Sequence, residues 1–387
     1  MSEKLSVYIL GDLKEGAADG LAEFNYQNVQ LLKNDFNFQF IELDATQNKD
    51  FYQTETRYTI SIHRFGGKNL RFLELPKNLE KLIRGLPKHS TIFHLHHIFN
   101  TTNYLVSKAL NRSGITYLIT PHDSFVYCPS YGREKPLIKR LYRKTFNHIF
   151  DKYVLDHAKV VHALTEQCPP CLKHITNSPI EVVLNQVRDM QLKFDIQSIK
   201  NQVCFIGRFD VLRKGIDLAL YGFNLFIKSN KTAGDASFVL VGPADKQASD
   251  KVHQICKDLD LEVGKEVIFT GKISESDRNR ILTESKVYMQ LSRTEGFGLS
   301  IAQALSCYKP VIISKQIPIH DKILDYKAGI VVNNPQQTSE ALYKIFALSP
   351  SEYIEMANNA RHCYEHEFHP TVIKPQLMKL YNGVANK

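Results

Sequence analysis

The sequence predicts an α/β protein built from two doubly wound domains. Short β-rich runs alternate with helical patterns along the whole chain, which implies parallel sheets covered on both faces. The 387 residues exceed what one core of ~150 residues usually holds. A polar stretch, NQVRDMQLKFDIQSIKN (185–201), divides the alternation into two halves.

The predicted strands of the first half are 7–10, 38–43, 58–65, 92–95, 116–120 and 160–164. Those of the second half are 203–206, 238–241, 267–270, 287–291, 310–313 and 330–332, and their apolar runs are stronger. Helical periodicity fills most of the intervals. No short repeat or low-complexity tract interrupts them.

Bulk composition narrows the class. Hydrophobic residues make up 43% and charged residues 23%, the balance of an ordinary globular protein. The apolar run 7–10 is too short for a signal-peptide core, and no run approaches the ~18 apolar residues of a membrane span. A cytosolic protein is expected. Seven cysteines, an odd number, include one isolated CPPC (168–171), so free thiols are expected. DLD (258–260) has the look of a metal-binding DxD but falls in a polar helix end, and HEFH (366–369) is not HExxH. The formal charge of +9 favours an acidic partner: nucleic acid, anionic lipid or a phosphorylated small molecule.

Ligands of parallel sheets bind beyond the carboxyl ends of the strands, so the loops there are where chemistry belongs. GRFDVLRKGID (207–217) gathers Arg208, Arg213 and Lys214 just before a helix. Cations beside a helix N-terminus suit a diphosphate, and a solvated basic turn is the alternative. In SRTEGFGLSIAQAL (292–305), Glu295 precedes Gly296 and Gly298, which let backbone approach a ligand. The helix that follows is apolar nearly all round, which predicts that it is buried, and Gln303 with it. A buried amide without a partner costs ~1–3 kcal/mol, so Gln303 needs either a ligand or neighbouring backbone. TPHDSF (120–125) sets His122 at a strand's ligand-binding end. GAADGLAEFNYQNVQLL (16–32) puts Gly16 and Gly20 ahead of a helix after the first strand.

In order, the pieces GRF…RKGID, VGP, FTGKIS, SRTEGFGLSIAQAL, KPVIIS and AGIVV resemble the C-terminal domain of the retaining family 4 glycosyltransferases (glycosyl transferases group 1). HLHH, TPHDSF and HALTEQ resemble that family's N-terminal landmarks. The likeness runs through most of the chain and is densest over 203–332.

The resemblance implies the GT-B fold, two Rossmann-like domains facing a central cleft. Residues 1–185 would bind the acceptor, 186–363 the nucleotide sugar, and 364–387 would cross back to the first domain. Arg208 and Lys214 would hold the donor diphosphate. Glu295, with the backbone of Gly296, Phe297, Gly298 and Leu299, would hold the donor sugar and phosphate, and His122 would lie beside the sugar being transferred. Glu295 and His122 are the implied catalytic residues, and Gly16 and Gly20 belong to the acceptor-side loop. No cofactor is implied beyond the nucleotide-diphosphate sugar as co-substrate. No metal is implied either, because two cations and a helix dipole take the place of Mg²⁺. Retention by front-face attack is likewise an implication of the likeness.

Three positions depart from the family pattern. The family's second glutamate, which grips the ribose hydroxyls, is replaced by Gln303. An amide oxygen accepts without charge, and neutral hydrogen bonds are roughly half as strong as charge-assisted ones. Tyr308 stands where the family usually has the glycine that ends this helix. Ala22 stands where the first-domain loop has its second glycine.

REKPLIKRLYRKTFNHIF (133–150) places Lys139, Arg140, Arg143 and Lys144 at helical spacing beside an apolar side. Such a helix either lies on an anionic membrane or presents a solvated basic face and a core face. Its aromatics read as core-facing, which leaves no stacking surface for nucleic acid.

The expected protein is therefore a cytoplasmic, metal-independent glycosyltransferase, peripheral on the inner face of the membrane. It would move a sugar to a glycan or lipid-linked acceptor in cell-surface polysaccharide or glycolipid synthesis. A non-catalytic nucleotide-sugar-binding subunit and a same-fold epimerase are the alternatives.

Overall fold

The computed structural model describes residues 4–14, 20–67, 74–122, 136–229 and 235–385. Gly16 lies outside them. The chain divides into two units, Met1–Gln186 with Ile373–Lys387, and Val187–Val372.

The first unit is built on eight strands: β1 (Ser6–Leu10), β2 (Asn37–Asp44), β3 (Tyr52–Arg57), β4 (Ile60–Gly66), β5 (Thr91–His96), β6 (Thr116–Thr120), β7 (Val160–Ala163) and β8 (Ile180–Val182). Their order in the sheet is β3-β4-β2-β1-β5-β6-β7-β8. Every pair is parallel except β3–β4, which forms an antiparallel edge. Every residue of β5 and β7 is buried, as strands covered on both faces must be. The expected strand 58–65 is corrected at its start. Tyr58 and Thr59 take φ of 50° and 68° and form the β3–β4 turn, so the strand begins at Ile60.

Helix Pro370–Ala385 closes this unit. Its Ile373, Leu377, Leu380, Tyr381 and Val384 pack with Val7, Ile9, Phe36 and Phe38. Fully burying a side chain of this size stabilises by roughly 1.5–3 kcal/mol. Residues 364–372 stay with the second unit.

The second unit carries six parallel strands: β9 (Lys200–Ile206), β10 (Ser237–Val241), β11 (Val267–Gly271), β12 (Ser285–Gln290), β13 (Val311–Ser314) and β14 (Gly329–Val332). Their order is β11-β10-β9-β12-β13-β14. Helix Ile216–Ser229 packs on helix Pro335–Phe346, and helix Leu299–Ser306 on helix Pro350–Glu367.

Tyr308, in the glycine position, has φ of 59°. The left-handed conformation costs a non-glycine residue roughly 1–2 kcal/mol. Packing offsets that cost. Its ring stacks on Phe194 at 5.5 Å, and the Arg361 guanidinium lies 5.4 Å from the ring centre. Arg361 also donates to Ser306 O at 2.7 Å and makes a bidentate pair with Asp189 at 2.7 and 2.9 Å.

Cys168, Cys204, Cys256, Cys307 and Cys363 are free and buried. Cys171 is disulfide-bonded, which corrects the expectation of free thiols throughout.

Candidate functional site

In the second unit the predicted donor residues come from two loops, one after β9 and one after β12. Gly215 lets them meet. Its φ is +66°, and a Cβ there would lie 1.9 Å from Leu291 O, so only glycine fits. Arg293 then ties the loops together. It donates to both carboxylate oxygens of Asp217 at 2.7 and 2.8 Å and to Leu212 O at 2.7 Å.

That junction brings Lys214 to Glu295, Nζ to Oε2, at 2.6 Å. Glu295 Oε2 also accepts from Gln290 Nε2 at 2.9 Å, and Ser292 Oγ lies 3.3 Å away. Gln290 ends β12 and is fully buried, so its amide must find partners inside the protein. Its Nε2 donates to Ser292 Oγ at 2.9 Å. Its Oε1 lies 2.6 Å from Tyr288 OH and 3.0 Å from Ser300 Oγ. Tyr288 and Gln290 are two apart on a strand and share one face. Burial pushes the Tyr288 hydroxyl far above its ordinary pKa, so it stays a donor. The result is a continuous polar chain from Ser300, through Tyr288 and Gln290, to Glu295 and Lys214. The motif signalled Glu295 and Lys214. It did not signal Tyr288, Gln290, Ser292 or Ser300. The only hint of them in the sequence is the polar alternation at the end of VYMQLS.

Arg208 is exposed just beyond β9, and neither it nor Arg213 has an ion pair among the described residues. Helix Leu299–Ser306 starts at Gly298, with φ of 109° and no side-chain cap. Its first N–H groups therefore point outward without a capping oxygen. Phe297 is buried and packs edge-on to Phe368 at 5.7 Å, so its side chain anchors the loop and only its backbone is placed to meet a ligand.

Gln303 corrects one expectation. It is half-buried, not buried, although Ile301, Ala302, Ala304 and Leu305 around it are buried. No hydrogen bond among the described residues uses its side chain, so the neighbouring-backbone alternative has no support. A pocket of ≈ 290 Å³ lies at the carboxyl ends of β12, β13 and β14, with Arg293, Ser314, Gln316 and Asn333 in its lining. Arg208, Lys214, Glu295 and Gln303 do not line it.

In the first unit, His122 follows β6 with φ of 49°. It sits among histidines from β5 and β7. The hydrogen bonds of the deepest ones run in a single direction. His162 Nε2 lies 2.9 Å from Val183 O, which can only accept, so Nε2 carries the proton and Nδ1 accepts. Thr120 Oγ1, 2.8 Å away, therefore donates to His162 Nδ1 and accepts from His94 Nε2 at 2.7 Å. His94 Nδ1 then accepts from Tyr381 OH at 3.0 Å. Burial, then neighbouring imidazoles, holds His94, His96 and His122 well below the ordinary histidine pKa, and burial lowers His162 to about 4. All four are neutral at pH 7.

Gly20 opens helix Gly20–Leu32, in which Ala22 is buried. Helix Leu137–Phe146 has Lys139, Arg140 and Lys144 exposed, while the Arg143 guanidinium lies 5.2 Å from the ring centre of Phe99. Its apolar side is corrected from a core face. Leu137, Ile138, Leu141 and Tyr142 are 75%, 77%, 62% and 64% exposed, and only Phe146 is buried.

Two doubly wound units of this topology define the fold of the GT-B glycosyltransferases. Sucrose-phosphate synthase from Thermosynechococcus elongatus superposes with a TM-score of 0.75 over 98% of both chains at 17% identity. The Anabaena protein HepE, in complex with UDP and glucose, does so with a TM-score of 0.70 at 13% identity, over 98% of this chain and 99% of that one. The model of the family Glycosyl transferases group 1 matches residues 188–362, nearly the whole second unit. Trehalose synthase of Thermococcus litoralis is 22% identical over 254 residues, 62% of this chain and 59% of that protein. This chain thus spans about three fifths of that relative's length. Trehalose synthase of Pyrococcus horikoshii is 20% identical over 81% of this chain and 80% of its own.

Proposed function

We propose that the chain is a glycosyltransferase that takes a sugar from a nucleotide-diphosphate donor, with retention, and gives it to a glycan or lipid-linked acceptor. The observation that carries this reading is the polar chain that fixes Glu295 against Lys214 in the group 1 domain. Relatives named as trehalose synthases and a fold neighbour crystallised with UDP and glucose support a nucleotide-sugar donor.

In this reading the donor diphosphate meets Lys214, Arg208 and the N-terminus of helix Leu299–Ser306. Negative charge grows on the leaving diphosphate as the glycosidic bond breaks. Prearranged cations and N–H groups stabilise that charge more than they stabilise the ground state. These groups take the role a metal would have. Gln303, half-buried and with no side-chain hydrogen bond among the described residues, offers its amide to a ribose hydroxyl. The first unit offers His122 to a sugar oxygen. Helix Leu137–Phe146 brings the enzyme to an anionic membrane surface, with its exposed leucine and isoleucine side chains inserted and Lys139, Arg140 and Lys144 over the headgroups.

Thermal melts with a panel of UDP-, GDP-, ADP- and dTDP-sugars test the reading, because a ligand at 100 times its Kd stabilises by about 2.7 kcal/mol. The reading predicts that one nucleotide class raises Tm and that the stabilising sugar is transferred in the presence of EDTA with its anomeric configuration kept. No stabilisation by any member of the panel would contradict it.

A further inference from the structure

His96 ends β5 and His122 lies just past β6, on neighbouring parallel strands with His96 opposite Thr120. The left-handed turn at His122 carries its ring back over β5, where Nε2 comes within 3.0 Å of His96 Nδ1. Phe24 packs edge-on against both rings, at 5.7 Å from His96 and 5.3 Å from His122, and the His97 ring is 5.0 Å from His122. His94, whose own hydrogen bonds are already fixed, lies 4.1 Å from His96 ring to ring. Aromatic neighbours thus pack against both rings of the His96–His122 pair.

One proton serves the shared hydrogen bond, and it can sit on either nitrogen. The decision falls at the far side of His96. There Nε2 is buried and has no hydrogen-bond partner among the described residues. A buried N–H with nothing to donate to is the rarer and costlier defect, and an unshared nitrogen lone pair is the milder one. The proton therefore stays on His96 Nδ1, and His122 Nε2 accepts it. A neutral His122 then carries its own proton on Nδ1, which makes no hydrogen bond among the described residues.

We propose that His96 is a positioning residue that holds His122 in the neutral Nδ1–H form, so that His122 offers its ligand a hydrogen-bond donor and not a base. Its partner is then an oxygen lone pair, such as a hydroxyl or ring oxygen of the transferred sugar. That identification of the partner rests on the function proposed above; the tautomer does not. Among the described residues the other ionisable groups near the pair are His94, His97 and His162. All act against charge on it.

Protein labelled with ¹⁵N-histidine tests this by long-range ¹H–¹⁵N correlation, with the His122 signals assigned by their loss in His122→Asn. The wild type should show His122 as Nδ1–H and unchanged from pH 8 to pH 6. His96→Asn keeps a side-chain amide to donate to His122 Nε2, so it should keep that tautomer and most of kcat. His96→Asp, of nearly the same shape as Asn but able only to accept when ionised, should bring a proton to His122 Nε2 and lower kcat about tenfold, with nucleoside-diphosphate affinity unchanged. An Nε2–H signal for His122 in the wild type would overturn the proposal, as would an unprotonated His122 Nε2 persisting in a folded His96→Asp. If His96→Asp does not fold, the wild-type and His96→Asn spectra decide. An Nδ1–H signal in a protein that transfers no sugar would leave the tautomer standing and remove the glycosyltransferase reading.

Discussion

Lys214 Nζ lies 2.6 Å from Glu295 Oε2, and their side chains are only 20% and 11% exposed. The pair joins the two loops that the family pattern assigns to the donor. Lys214 is thus already oriented by a carboxylate before any ligand arrives. Lys214→Ala should lower transfer by about 10²–10³-fold, the range for removing one prearranged charge-stabilising donor. Arg208→Ala should follow in the same direction. Arg208 has no ion pair among the described residues, so its loss should leave Tm within about 1 °C of wild type, as surface substitutions usually do. Steady-state kinetics and melts of the two variants check both statements. Turnover within twofold of wild type in both variants would detach these cations from the reaction.

Gln303 is predicted to read the ribose. Gln303→Glu should tighten nucleotide-sugar and free nucleoside-diphosphate alike, by roughly fivefold to thirtyfold for ~1–2 kcal/mol of charge-assisted bonding. A 2′-deoxyribose ligand should gain less. Because Gln303 is half-buried, a carboxylate there keeps access to water and should not unfold the domain. Equal affinity in Gln303→Glu, Gln303→Leu and wild type would refute the assignment.

The sequence showed most of the sheet because parallel strands buried on both faces are long apolar runs. It missed β3, YQTETR, whose residues are exposed or half-buried at an antiparallel edge and carry no apolar alternation. It missed β8, only three residues long and without a buried residue. The cations and Glu295 were legible because they sit in a local motif. The polar chain behind Glu295 was not, because a buried glutamine in a strand looks like any strand residue until its neighbours are known. The directed run from Tyr381 to Val183 was hidden for a stronger reason. It joins β5, β6, β7 and the C-terminal helix, and His94 and Tyr381 are 287 residues apart. Tyr308 is the reverse case. The sequence marked it as an anomaly, and the structure supplies the cause in Phe194 and Arg361.

Membrane association should depend on both sides of helix Leu137–Phe146. Replacing Lys139, Arg140, Arg143 and Lys144 with glutamine should weaken binding to phosphatidylglycerol vesicles, at about 1 kcal/mol per basic residue near the surface. Replacing Leu137, Ile138 and Leu141 with serine should weaken it further while sparing nucleotide affinity. Co-sedimentation with phosphatidylglycerol and phosphatidylcholine vesicles measures this. A wild type that ignores both would reduce the helix to a solvated face.

The clustered histidines of the first unit set an acid limit on stability. Each of His94, His96, His122 and His162 has a folded pKa below 6.5, so the unfolded chain binds more protons than the folded one as pH falls through 6.5. Stability is therefore kept above pH 6.5 and lost below it, by up to ~1.4 kcal/mol per pH unit for each histidine. Melts from pH 7.5 to 5.5 should fall steadily below 6.5. Calorimetry at pH 5.5 should show roughly one proton taken up on unfolding per buried histidine. A flat Tm across that range would mean that these imidazoles are hydrated or already charged.

The proposal that the second unit holds a donor through its diphosphate is tested most directly by calorimetric binding of a nucleoside and its diphosphate. The pair should be chosen by the nucleotide panel. The diphosphate should bind wild type at least about tenfold more tightly than the nucleoside, a gap of ~1.4 kcal/mol. That gap should close in the Arg208→Ala, Lys214→Ala double variant while the nucleoside affinity stays put. Equal affinities in wild type, or a gap that survives the double variant, would contradict the assignment.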